Sequence, residues 1–223
     1  MLMDIMNVIV STLAIGAVGC VMHFLYGWLH QNKAVAVVAA TNESIWEHIK
    51  IGLTGFLLFT IYDYLQYGEM HNYWIAKGVA LMGFVVIVPS VYYAFCRSVP
   101  KKWEVPVDIV EFFVDILLAQ MMFFVILEGP KLRDWLFYPA FIMLFLVLGA
   151  YVMFTWVQPR LGIFQDPING KYGVDAYQKS NHAKKHERAK ITKAKVKQAK
   201  KVVNKRVEAA KKVRVVKSID GMK

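Results

Sequence analysis

Three acids, Asp108, Glu111 and Asp115, stand at i, i+3 and i+7 in a stretch that is otherwise apolar. On a helix this spacing aligns them on one face, and a rise of about 1.5 Å per residue sets Asp115 roughly 10 Å further along the axis than Asp108. Asp108 has an ordinary use as a helix start beside Pro106. Glu111 and Asp115 have none. They are protonated, face water, bind a cation or pair with His23, and two neighbouring carboxylates in a low dielectric favour a shared proton. The densest polar run is Thr41-Asn42-Glu43-Ser44-Ile45-Trp46-Glu47-His48-Ile49-Lys50. Ser44 with Glu47 three residues on fits a capping box, and Asn42 is an alternative cap. Glu43 and Glu47 then share a face with Lys50 close behind, and Ser44 and His48 share the neighbouring one. The run reads either as a charged helix start at a membrane surface or as a polar cluster for a ligand or metal. It contains neither His-Glu-x-x-His nor Glu-x-x-His, so it is no zincin and no di-iron carboxylate sequence.

The elements that carry these residues follow from composition. Of 223 residues, 57% are hydrophobic and 19% charged. That balance disfavours a secreted module, a cytosolic enzyme and a disordered chain. Five windows, roughly 5–29, 49–66, 74–96, 107–128 and 135–157, have the length and apolarity of spanning helices. The first lacks a basic leader and its apolar run is too long for a signal peptide, so it reads as a retained span. Lys33 to Thr41 is too short to cross and is re-entrant, interfacial or packed against protein. The expected fold is therefore all-α. Residues 1–158 form an integral membrane bundle of five transmembrane helices with a short re-entrant or interfacial segment. Residues 159–175, with Pro159, Asp166-Pro167 and Asn169-Gly170, form a turn-rich juxtamembrane segment. Residues 176–223 form a basic cytoplasmic C-terminal helix, or a tail that is helical only in part. Cys20 and Cys96 lie in apolar runs and imply no disulfide framework.

The formal net charge of +11 is unevenly placed: residues 1–170 carry nine Lys/Arg against twelve Asp/Glu, and residues 171–223 carry eighteen against four. So basic a tail resists translocation. The expected location is the plasma membrane, with a cytoplasmic C-terminus and, across five spans, an external N-terminus. One inward-opening polar pocket is then expected to collect His23, Tyr26, Glu43, Glu47, His48, Asp108, Glu111 and Asp115. The competing reading is separate polar residues that meet headgroups or join helices. Within the pocket His23, Glu47, His48 and Asp115 are candidate ligands for a divalent metal that suits imidazole and carboxylate. No Lys or Arg is expected inside a span to neutralise the acids. At the other interface Tyr62, Asp63, Tyr64, Tyr67 and Trp74 read as an aromatic belt.

Several pieces resemble a known family. They are His23-Phe24-Leu25-Tyr26-x-Trp28, Asn42-Glu43-Ser44-x-Trp46-Glu47-His48-x-Lys50, Tyr92-Tyr93 followed by Asp108-Ile109, and Phe164-x-Asp166-Pro167-x-x-Gly170-x-Tyr172-Gly173. Together they resemble the DUF6512-like family of small polytopic membrane proteins of unknown function. The resemblance covers most of residues 20–175. It implies a polytopic fold and adds Asn42, Ser44, Trp46 and Lys50 to the pocket residues, but names no reaction. The basic extension departs from it.

That extension carries Lys184, Lys185, Arg188, Lys190, Lys193, Lys195, Lys197, Lys200, Lys201, Lys205, Arg206, Lys211, Lys212 and Arg214, with a weak apolar stripe at helical spacing. Such charge holds a helix on anionic lipid headgroups at about 1 kcal/mol per residue. It also holds nucleic acid, for instance a ribosome at the membrane, by counterion release. The lack of aromatics after Tyr177 argues against base stacking. The leading functional expectation is an integral membrane binding or scaffold protein with a cytoplasm-facing pocket and a tethering tail. One alternative is a membrane-embedded metal-dependent hydrolase, with Glu43 or Glu47 as base toward metal-activated water. Another is a proton- or cation-coupled permease using Glu111 and Asp115, which with five spans calls for a homo-oligomer.

Overall fold

A computed structural model describes residues 5–100 and 102–176. The basic tail expected to be helical lies outside the described residues. Five long helices order the chain: α1 (Ile5–Trp28), α2 (Ile45–Tyr67), α3 (Tyr73–Ala94), α4 (Glu104–Leu127) and α5 (Phe137–Trp156), joined by loops with short 3₁₀ turns. Among the described residues there is no β-strand, only an isolated bridge between Gln165 and Tyr172.

Four helical stretches, Ile5–Trp28, Tyr73–Ser98, Glu104–Leu127 and Asp134–Trp156, are long and apolar enough to cross a membrane. Large apolar side chains such as Ile5, Val86, Val110, Tyr138 and Phe145 point outward, an arrangement that lipid solvates and water does not. Of the five expected spans, the second falls outside that criterion. Its helix, α2, carries Glu47, Lys50 and Asp63, which lower its hydropathy although all three are buried and ion-paired. The first half of α2 is enclosed by the bundle, with Trp46, Ile49, Ile51, Leu53 and Phe56 all buried. Gly55 makes that enclosure possible, since a Cβ there would lie 2.6 Å from the Ile15 carbonyl oxygen of α1.

Helix α2 runs antiparallel along the whole of α1. The Asn7 amide donates to the Tyr67 hydroxyl (3.0 Å) at one end, and His23 meets Glu43 at the other. The 33–41 segment turns out to be packed against protein. Its Ala36, Ala39, Ala40 and Thr41 are buried, and its carbonyls at Ala36 and Val38 accept from the Lys50 ammonium (2.8 Å) and the Thr54 hydroxyl (2.9 Å).

The turn-rich segment folds back over the start of α2. Phe164 lies against Trp46 and Phe154, with ring centroids 5.2 and 5.1 Å away. The Gly173 amide donates to Gln158 Oε1 (2.7 Å), and the Gly173 carbonyl accepts from the Asn42 side chain (3.2 Å). Gly170 and Gly173 have φ of +69° and +65°, a conformation that suits glycine. Asp166 holds the turn that leads into Gly170 by accepting from the Ile168 amide (2.7 Å) and the Asn169 side chain (3.0 Å).

Candidate functional site

The site lies where α1 ends and α2 begins, beside the last turn of α3 and the first turns of α4. Ser44 has extended backbone and its hydroxyl accepts from the Glu47 amide at 3.4 Å, so α2 starts where the cap pattern places it. The reciprocal half of the capping box is not formed. The Ser44 amide donates instead to Asn42 Oδ1 (2.9 Å), so the two candidate caps act in series.

Glu47 is thereby free to face inward. Its Oε2 accepts from the Thr41 amide (2.6 Å) and pairs with the Lys50 ammonium (2.6 Å), while Oε1 accepts from the Gln158 side chain (3.2 Å). Glu47 and Lys50 are both fully buried. They tie α2 to the 33–41 segment and to the C-terminal loop, and Glu47 takes no part in a metal cluster.

The acid that faces the histidines is Glu43. Its carboxylate lies 3.7 Å from His23 Nε2, and the His23 and His48 rings are 5.6 Å apart. Ligand atoms of His23, Glu43 and His48 all fall within 4.8 Å of one another, the one such group among the described residues. Nδ1 of His48 sits 3.0 Å from the Ser44 carbonyl oxygen. A proton on that nitrogen fixes the ring and leaves the Nε2 lone pair for a ligand. Side-chain exposures of 25% for His23 and 43% for Glu43 leave the cluster open on one side. Asp108 is within electrostatic reach of His48 and Glu43, and Glu111 is within reach of His48 and hydrogen-bonded to Cys96.

The expected single pocket thus resolves into distinct parts. His23, Glu43 and His48 cluster, with Asp108 and Glu111 beside them. Tyr26 is packed with Ala36 and Ala39, and Trp46 is locked between Phe154 and Phe164. Asn42, Ser44, Glu47 and Lys50 build the scaffold. Asp115, offered by the sequence as a fourth ligand, is fully buried further along α4 and outside the cluster.

At the opposite end, what reads as an aromatic belt contains a buried ion pair. The Lys77 ammonium of α3 meets Asp63 of α2 and lies 4.3 Å from the centre of the Phe123 ring. The expectation that no cation lies inside a span fails for Lys77, which is buried with Asp63 in the candidate span Tyr73–Ser98, and Lys50 of α2 is likewise buried together with its own acid.

Residues 4–174 match the family of unknown function DUF6512. The chain belongs to that family. No curated protein and no solved structure matches it. The DUF6512 match takes in the histidine cluster, both buried ion pairs and the loop that covers the start of α2. It stops short of the basic tail.

Proposed function

We propose that this is an integral membrane binding protein of five crossings, whose ligand is a divalent transition metal held by His23, Glu43 and His48. The observation that carries this reading is the convergence of those three ligand atoms within 4.8 Å. Zinc bonds of about 2.0–2.1 Å to nitrogen and oxygen put tetrahedral ligand atoms about 3.3 Å apart. Partly exposed side chains reach that by small rotations, and the Ser44 carbonyl already orients His48. Two imidazoles and a carboxylate leave a fourth position open, as catalytic rather than structural zinc sites do. The fifth crossing rests on α2, which pairs with α1 from the Asn7 end to the His23 end and so covers the same thickness. With the C-terminus cytoplasmic, the cluster faces the cytoplasm, and the tail tethers the body to an anionic lipid surface.

Elemental analysis of the full-length protein, dialysed against micromolar Zn²⁺ or Mn²⁺, tests the metal. About one ion per chain is expected, with affinity lowered at least tenfold in His48→Ala and Glu43→Gln. No bound ion at micromolar concentration, or unchanged binding in both variants, defeats the proposal.

A second reading adds hydrolysis. It is favoured by Asp108, a carboxylate beside the cluster that is not one of the three ligands. It is the candidate base for water in the open position. Under this reading Asp108→Asn retains the metal and loses turnover of lipid ester or peptide substrates.

A further inference from the structure

The buried polar groups of α4 stand outside the group formed by His23, Glu43 and His48. Asp115 lies midway along the 24 residues of the helix, next to the core residues Phe112, Ile116 and Ala119. It is fully buried, and neither carboxylate oxygen has a hydrogen-bond partner. One turn earlier, the Oε1 of Glu111 is likewise buried without a partner.

The charged and titratable groups around it supply no counter-charge. On α4 the near group is Glu111, and in the turn after α3 it is Cys96. Both are acids. On α2, Lys50 is committed to Glu47, and Lys77 of α3 to Asp63. On α1, His23 faces Glu43.

An ionised carboxylate so placed is desolvated with nothing opposite it, the most costly form of buried charge. A hard cation there would need six or more oxygen ligands. A proton needs one. It removes the charge, and it supplies the hydrogen-bond donor that both Asp115 oxygens and the Glu111 Oε1 lack.

We propose that Asp115 is a proton-binding site at mid-depth in the membrane body, separate from the metal cluster and held as the neutral acid with Glu111 as its neighbouring acceptor. It gives this chain a protonatable group buried at the level of the bilayer interior, one helical turn deeper than Glu111.

Infrared spectroscopy of the full-length protein in phosphatidylcholine liposomes at pH 7 tests this, because the carbonyl stretch of a protonated carboxyl is resolved from that of a carboxylate. A protonated-carboxyl band is expected in the wild type, lost in Asp115→Asn, and retained with a shifted frequency in Glu111→Gln. Superimposable wild-type and Asp115→Asn spectra in that region overturn the proposal. Loss of the band in Glu111→Gln with retention in Asp115→Asn also overturns it, by placing the proton on Glu111. Should Asp115→Asn not fold, carbon-13 labelling of aspartate in the wild type decides: an acid band that moves with the label supports the site, and one that does not move overturns it.

Discussion

The pair Lys77–Asp63 shows how one side chain can be necessary without being favourable. Both side chains are at most 2% exposed, so their attraction offsets a large desolvation cost rather than adding much net stability. Removing one partner leaves the other buried and charged. Lys77→Met is therefore expected to cost about 3–5 kcal/mol, while the double replacement Lys77→Met with Asp63→Leu recovers most of it. Thermal unfolding in detergent, compared across the two single variants and the double, reads this directly, and an additive double variant would contradict it. Asp63 was hidden in the sequence by its aromatic neighbours, yet the chain does hold a signal. Asp63 and Lys77 lie seven residues either side of Met70, so a helical hairpin turning there brings them level. The proposed metal ligands were half legible in the same way. His23 and His48 stand out, but choosing Glu43 over Glu47 depends on which acid Lys50, Thr41 and Gln158 claim, contacts made across the fold.

Among the elements, the helices themselves could be read from long apolar windows, whereas their mutual approach could not. Packing in lipid has little hydrophobic drive and relies on close backbone contact at small residues. Two glycines set that contact here. A Cβ on Gly55 of α2 would lie 2.6 Å from the Ile15 oxygen of α1, and one on Gly78 of α3 would lie 2.5 Å from the Ala140 oxygen of α5. A backbone atom cannot swing aside, so Gly55→Ala and Gly78→Ala must separate whole helices. Each is expected to lower stability by about 1–3 kcal/mol, the range for overpacking. Gly149, whose Cβ would meet nothing within 4 Å, is the internal control. Gly149→Ala is expected to be neutral or slightly stabilising through helix propensity, and equal melting shifts at all three positions would refute this account of the packing. Packing against protein was one of three alternatives the sequence left open for 33–41, and the 159–175 segment was legible as turns but not as a cover over the start of α2. Their order comes from polar side chains of α2 and from Asn42 and Gln158, which satisfy backbone groups that no local pattern announces.

For the whole molecule the open matter is how an oily body and a basic tail divide the work. The described part of the packed body extends to Ala176. Ala176 is fully buried, and its carbonyl accepts from the Asn169 side chain at 3.0 Å. Truncation before that point removes part of the C-terminal loop, whereas deleting 178–223 leaves every described contact in place. The shortened protein is therefore expected to insert, to melt within a few degrees of the full chain and to keep the metal. What it loses is charge: seventeen of the chain's 27 Lys/Arg lie beyond residue 177. At about 1 kcal/mol per basic residue near an anionic surface, a tail of this charge is expected to make the full chain bind anionic vesicles far more tightly than neutral ones. Screening over a Debye length of about 8 Å at physiological ionic strength, and about 3 Å at 1 M, makes that preference fall steeply with salt. The measurement is capture of detergent-solubilised protein by phosphatidylserine vesicles across a salt series, full chain against the 178–223 deletion. Parallel salt dependences for the two proteins would assign the binding to the body. Preference of the full chain for RNA over phosphatidylserine at equal phosphate would assign the tail to nucleic acid instead.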